Sequence, residues 1–219
     1  MPVPDPYIEP TRELLLNEGI LLPSFPQLEP DAEPYTVALL QPKAEIAAAP
    51  LGVKNANHVL AVEKVRRFLN FAHEQQASIC VTPEYCCPWE IIDEIIGGQI
   101  QVPEQAIWIL GCEAISIAEL RGREAAAPRG IAWLFEAPEP HQVPGQMFLD
   151  PACIVMRGTR QATNEPVLVV VVQFKTEHMG GIPFEQQNMI RGARIYELKN
   201  PGDYSIRLVC LLCSDALQH

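Results

Sequence analysis

From Val59 to Ala72 apolar side chains recur every third or fourth position: Val59, Val62, Val65, Phe68, Leu69 and Ala72. Glu63, Lys64, Arg66 and Arg67 fill the positions between. That period places one apolar stripe along a helix and predicts one over 57–76, with Asn55 or Asn57 as N-cap. Elsewhere the pattern is different. Thr36–Gln41, 78–82, Ala106–Cys112, 167–174 and 205–212 are short, nearly continuous apolar runs, the mark of strands buried on both faces. Weaker strand patterns lie at 131–135, 152–157 and 193–198. Pro88-Trp89 opens a short helix that Gly97-Gly98 closes. Residues 159–165 read as a hairpin turn, 176–192 as irregular, and Pro201-Gly202-Asp203 as a turn. The alternation of strands and helices, followed by a strand-rich second part, predicts an α/β fold: a mixed sheet with helices outside.

Composition narrows the class. Of 219 residues, 48% are apolar and 20% charged, a globular balance with room for one good core. Many of the 21 prolines fall in the first 34 residues and in 126–151, so they mark loops and arms. Residues 1–34, with one amphipathic piece at Thr11–Leu16, are expected to form a proline-rich arm that packs on the body or on a partner. Residues 35–219 form the domain. No run of about 18 apolar residues suggests a membrane span. The start Met-Pro-Val-Pro-Asp-Pro lacks a basic, then apolar, leader, so a cytoplasmic location is expected. A net charge of −11 without basic patches disfavours nucleic-acid binding. Seven cysteines, an odd number in a chain without a leader, argue for reduced thiols that behave mostly as small apolar residues.

Three of the apolar runs end on a reactive side chain. The run from Ile79 leads to Glu84, that from Val167 to Lys175, and that from Ile206 to Cys213. Functional groups gather at the carboxyl ends of strands in open α/β sheets. A thiol has a pKa near 8.5 and needs help to become a thiolate at neutral pH. Glu84, desolvated at a strand end, is the candidate proton acceptor. Lys175 is the candidate oxyanion partner, with the backbone N–H of Ser214 as a second donor; such donors contribute about 3–4 kcal/mol each.

These residues resemble the motifs of the nitrilase, or carbon–nitrogen hydrolase, superfamily. Val81-Thr82-Pro83-Glu84-Tyr85 is similar to its glutamate motif, Gln173-Phe174-Lys175-Thr176-Glu177-His178 to its lysine motif, and Leu211-Leu212-Cys213-Ser214-Asp215 to its nucleophile motif. Leu39-Leu40-Gln41, the helix from Asn57, and Trp108–Glu113 fit as well, so the likeness spans Tyr35 to the C-terminus. It implies a nitrilase-type α-β-β-α sandwich, two mixed β-sheets face to face with helices outside. It implies hydrolysis of a non-peptide carbon–nitrogen bond (amide, carbamoyl or nitrile) through a thioester acyl-enzyme. It adds Glu185, in Pro183-Phe184-Glu185, as the residue that orients Lys175 or the substrate. It also implies a small-molecule substrate, no cofactor, no metal and a homo-oligomer. The family fold continues past its nucleophile, whereas this chain stops at His219, so the C-terminal part of the domain is expected to be missing.

Blander readings stand beside these. On composition alone Cys213 reads as a seventh buried cysteine, a reading the paired Glu84 and Lys175 reverse, and Lys175 reads as an edge-strand lysine. Cys210 and Cys213 have a metal-pair spacing, but residues three apart on a strand face opposite ways. Cys86-Cys87 is expected to pack rather than line a pocket, and Glu177 to face away. His178 is expected on an exposed loop, and His58 and His73 on a helix surface. No phosphate loop and no Gly-x-Ser-x-Gly elbow is present. The rival function is a non-catalytic nitrilase-like module for oligomerisation or ligand sensing in a larger protein.

Overall fold

The computed structural model describes residues 5–31, 33–43, 45–49, 51–137, 148–179, 183–202 and 204–217. Their order is β1 (Tyr7–Pro10), α1 (Thr11–Asn17), β2 (Ile20–Leu21), β3 (Val37–Leu39), β4 (Ile46–Ala49), β5 (Gly52–Asn55), α2 (His58–Glu74), β6 (Ile79–Cys87), α3 (Trp89–Ile96), β7 (Ile107–Cys112), α4 (Ile117–Ala126), β8 (Ile131–Phe135), β9 (Pro151–Arg160), β10 (Pro166–Phe174), α5 (Pro183–Asn188), β11 (Arg194–Leu198) and β12 (Leu208–Val209). Short 3-10 turns cover Pro26–Leu28 and Cys213–Leu217. The proline-rich stretch at 138–147, Gly180-Gly181 and Asp203 of the Pro201 turn lie outside the described residues, as do the first four residues and the last two.

The fold is α/β with mixed sheets. The large sheet has the order β3-β6-β7-β9-β10-β8, with β2 added alongside β9. β3, β6 and β7 run parallel, β9 runs antiparallel to β7 and β10, and β8 is parallel to β10. Hence β6, β7 and β10 point the same way and end at one edge, where β9 begins. A small sheet, β1-β11-β12, forms separately.

Strand alternation sorts the core into two layers. Cys80, Trp108, Leu110, Cys153, Val155, Val170 and Val172 face α2 and α3. Ile107, Ile109, Ile154, Met156, Val169 and Val171 face the other way, onto Leu15, Ile20, Phe25, Leu28, Tyr196 and Leu198. Gln173 joins the two sheets: its side chain accepts from the Tyr196 N–H at 2.9 Å and donates to the Cys210 carbonyl at 2.7 Å. Helix α2 buries Ala61, Val62, Val65, Leu69 and Ala72, and Asn57 caps it by accepting from the Leu60 N–H at 3.1 Å. Val59, counted in the stripe, is 77% exposed, although Ala61 and Val62 just after it are buried.

Three expectations change and one helix is added to them. The run 205–212 is not a buried strand: only Leu208–Val209 pairs, with β11, while Ile206 and Leu211 stay exposed. It lies at the margin of the small sheet with one neighbour, so its apolar character reflects partial cover. The segment after β7 contains α4, started by a capping box in which Ser116 and Glu119 exchange hydrogen bonds. Within 176–192, α5 interrupts the irregular chain. Residues 7–21 do more than lie on the body: β1 pairs with β11 and β2 with β9.

Candidate active site

The site begins with a defect in pairing. β6 and β7 stay in register from Ile79↔Ile107 to Thr82↔Leu110, lose it, and resume at Cys87↔Cys112. The extra residues bulge outward, and Tyr85 takes a left-handed φ of +56°, uncommon for a bulky residue. Gly111 makes room: a Cβ there would lie 2.3 Å from the Pro83 carbonyl oxygen. Asn55 braces the bulge from the side, donating to the carbonyls of Tyr85 and Cys86 at 3.2 Å each. Glu113 in turn accepts from the Asn55 backbone and side chain at 2.9 and 2.8 Å. The outcome is that Glu84 is turned toward the end of β10.

There it meets Lys175, whose side chain is 0% exposed. The ammonium nitrogen lies 2.9 Å from Glu84 Oε1, 3.0 Å from Glu185 Oε1 and 3.7 Å from Asp150 Oδ2. Burial alone would lower the lysine pKa, but the pull of Glu84, Asp150 and Glu185 outweighs it and holds the ammonium charged above its ordinary range. Glu185 is fixed on both oxygens: Oε1 also accepts from the Tyr85 hydroxyl at 3.3 Å, and Oε2 accepts from the Met179 N–H at 2.6 Å. Close packing seats Gly192 here too; its N–H donates to the Lys175 carbonyl at 2.9 Å, and a Cβ on it would press on Phe174 and Glu136.

The nucleophile candidate arrives by a different route from the one expected. Cys213 does not close a buried strand; it opens the turn Cys213–Leu217, with an exposed side chain and a φ of +44°. Two residues on, buried Asp215 ties that turn to the end of β10. Its Oδ1 accepts from the Thr176 and Glu177 N–H groups at 2.9 and 2.8 Å, and its Oδ2 from the Leu212 N–H at 3.3 Å. Thr176, next to Lys175 in the chain, is thereby tied to Asp215, two residues past Cys213. Ser214 lies in the same turn.

Several secondary readings can now be placed. Glu177 pairs with Arg191. His178 is half-buried rather than exposed, sits 3.3 Å from the Met189 carbonyl, and has its pKa lowered by burial. His58 lies 3.2 Å from Glu90 on an exposed flank. Cys86 and Cys87 are buried in the helix-side core, and burial pushes the Cys86 thiol up to about 11. Cys86 also lines a cavity of about 420 Å³ between α2 and the 42–57 segment, with Pro42, Lys43, Asn55 and Leu60; no side chain of the lysine cluster reaches it. Burial pushes Cys210 up to about 12, so the two cysteines of the apparent pair differ in kind. Among the described residues no group of three His, Cys, Asp or Glu side chains is arranged to hold a metal ion.

Asp150 is the residue that motif reading missed. It directly precedes β9, and the pairing Phe174↔Pro151 sets it opposite Lys175, whose N–H donates to its carbonyl at 2.9 Å. Counting back from the observed pair Thr159↔Pro166 places residue 150 across from Lys175, a register that the turn expected at 159–165 does not fix by itself. Tyr85 and Asn55 carried no signal, since both act through a bulge that only the three-dimensional pairing creates. Comparison of the chain with protein-family models, with curated proteins and with solved structures finds no match.

Proposed function

We propose that this chain is a thiol-dependent hydrolase of a non-peptide carbon–nitrogen bond, with a nitrilase-type sandwich as its scaffold. One observation carries the reading: a wholly buried lysine, 2.9 and 3.0 Å from two glutamates, at the strand edge to which a cysteine turn is latched. Left-handed backbone at Tyr85 and Cys213, on either side of the cluster, adds support, because such strain concentrates at working sites. The large sheet with helices on one face and the small sheet on the other fits the sandwich.

In this reading the Cys213 sulfur attacks the carbon of an amide, carbamoyl group or nitrile. Its proton passes to Glu84. For an amide, the tetrahedral oxyanion is held by the Lys175 ammonium, whose third N–H has only the 3.7 Å contact to Asp150, and by the Ser214 N–H. Glu84 hands the proton to the departing nitrogen, the C–N bond breaks, and a thioester remains. Water then attacks the thioester, gives its proton to Glu84, and the acid leaves as the thiol is restored. Glu185 holds Lys175 in place throughout.

Iodoacetamide alkylation tests the reading. Cys213 is exposed and will label before the buried thiols in any case, so the informative quantity is its dependence on Glu84. A working pair keeps Cys213 reactive well below the ordinary thiol pKa of about 8.5, and Glu84→Gln slows alkylation at pH ~7 about tenfold or more. A rate indifferent to Glu84→Gln, falling as for any thiol on acidification, favours the non-catalytic module. The zero exposure of Lys175 is the observation on that side.

A further inference from the structure

Around one ammonium this fold assembles three carboxyl groups. Glu84 comes from β6, Glu185 from α5, and Asp150 from the residue before β9. If all were ionised the cluster would carry two uncompensated negative charges out of water, a cost of several kcal/mol for each. Glu185 has the environment of an anion, with Lys175, the Tyr85 hydroxyl and the Met179 N–H all donating to it. Glu84 has the short ion pair to Lys175 and 18% side-chain exposure.

Asp150 has neither advantage. It is 0% exposed, and among the described residues neither of its oxygens meets a donor in hydrogen-bonding geometry. Glu84, an acceptor like itself, faces the same ammonium. Two carboxyls so placed bond to each other only when one of them carries a proton. The other titratable groups near Asp150 are Tyr85, Lys175, Glu185 and, from the segment after β12, Cys210. Lys175 and the Tyr85 hydroxyl favour an anion there, but Lys175 already has two nearer carboxylates and the hydroxyl donates to Glu185.

We propose that Asp150 and Glu84 hold one proton between them, with Asp150 acting as a positioning residue that fixes the orientation and charge of Glu84. Desolvation and the neighbouring Glu84 push the Asp150 carboxyl well above the usual carboxylate range, in the same direction. Asp150 then donates its O–H to Glu84, Glu84 stays a carboxylate, and the cluster carries one surplus negative charge instead of two. The inference rests on the reading of Glu84 as proton acceptor only for its functional consequence; the shared proton itself does not.

Infrared spectroscopy of the full chain near neutral pH tests it. The carbonyl stretch of a protonated carboxylic acid is expected in the wild type, and a drop in its intensity by one carboxyl group in Asp150→Asn and, separately, in Glu84→Gln. Each substitution supplies an amide donor and leaves the remaining carboxyl ionised. An intensity undiminished by either substitution overturns the proposal, and Glu84→Gln, at the partly exposed member, gives the result even if the Asp150 variant folds poorly. In the alkylation assay, Asp150→Asn is expected to leave the pH profile of Cys213 in place because Nδ2–H replaces O–H. Asp150→Ala is expected to move its acid limb upward by about a pH unit as Glu84 loses its donor. A downward shift in Asp150→Asn marks an ionised Asp150 and also overturns it. Cys213 labelling that ignores Glu84 sinks the hydrolase reading while the infrared band still decides the shared proton.

Discussion

Lys175 is the residue on which most of the buried charge depends. Its ammonium faces Glu84, Asp150 and Glu185 with no solvent contact. Lys175→Met keeps the apolar stem and removes the charge, which leaves the carboxyls to repel one another. The expected loss is about 3–5 kcal/mol at pH ~7, the range seen when one partner of a buried pair is removed. The sign with pH follows from which state binds protons. Without the ammonium, the folded carboxyl pKa values rise above their unfolded values, so the folded variant takes up more protons. Its deficit relative to wild type therefore shrinks on acidification from pH ~7 to ~5, and urea titrations at the two pH values measure it. The pairing of Glu84 with Lys175 was legible in the sequence because both end strands of the same sense. Asp150 was not, because an acid between Leu149 and Pro151 reads as loop punctuation until the β9–β10 register is known.

At the scale of elements, the bulge in β6 and the turn at Cys213 are the two devices that aim the site. Gly111→Ala would push a methyl group onto the Pro83 carbonyl, backbone that has little room to give. A loss of about 1–3 kcal/mol is expected from overpacking, together with slower Cys213 alkylation at pH ~7 as Glu84 is displaced. Ser116→Ala provides the contrast. It removes the cap of α4, should cost about 1 kcal/mol by thermal unfolding, and should leave alkylation unchanged. These elements also mark where sequence patterns stop speaking. β6, β7, β10 and α2 were legible because they are buried along most of their length or along one stripe. Helix α4 was not, because Leu120 is its single buried residue among those described, and one buried position makes no period. The run ending at Cys213 misled for the converse reason: apolar side chains sit there without the second neighbour that would make them a strand.

Over the whole molecule, burial raises the carboxyl pKa values of Glu136, Asp150 and Asp215. Groups raised in the folded state stabilise it most when protonated, so their contribution falls as pH rises, and repulsion within a chain of net charge −11 acts in the same direction. The melting temperature is expected to be higher at pH ~5.5 than at pH ~8, and added salt to narrow the difference. No helix among the described residues is long and apolar enough to cross a membrane.

The pairing of Tyr7 with Arg194, and the Arg12 guanidinium 3.0 Å from the Lys199 carbonyl, have a consequence for synthesis. A ribosome must translate past Glu197 before β1 has anything to zip onto. Until then the leading segment waits, with the apolar face it will later cover open to chaperones and to other nascent polypeptides.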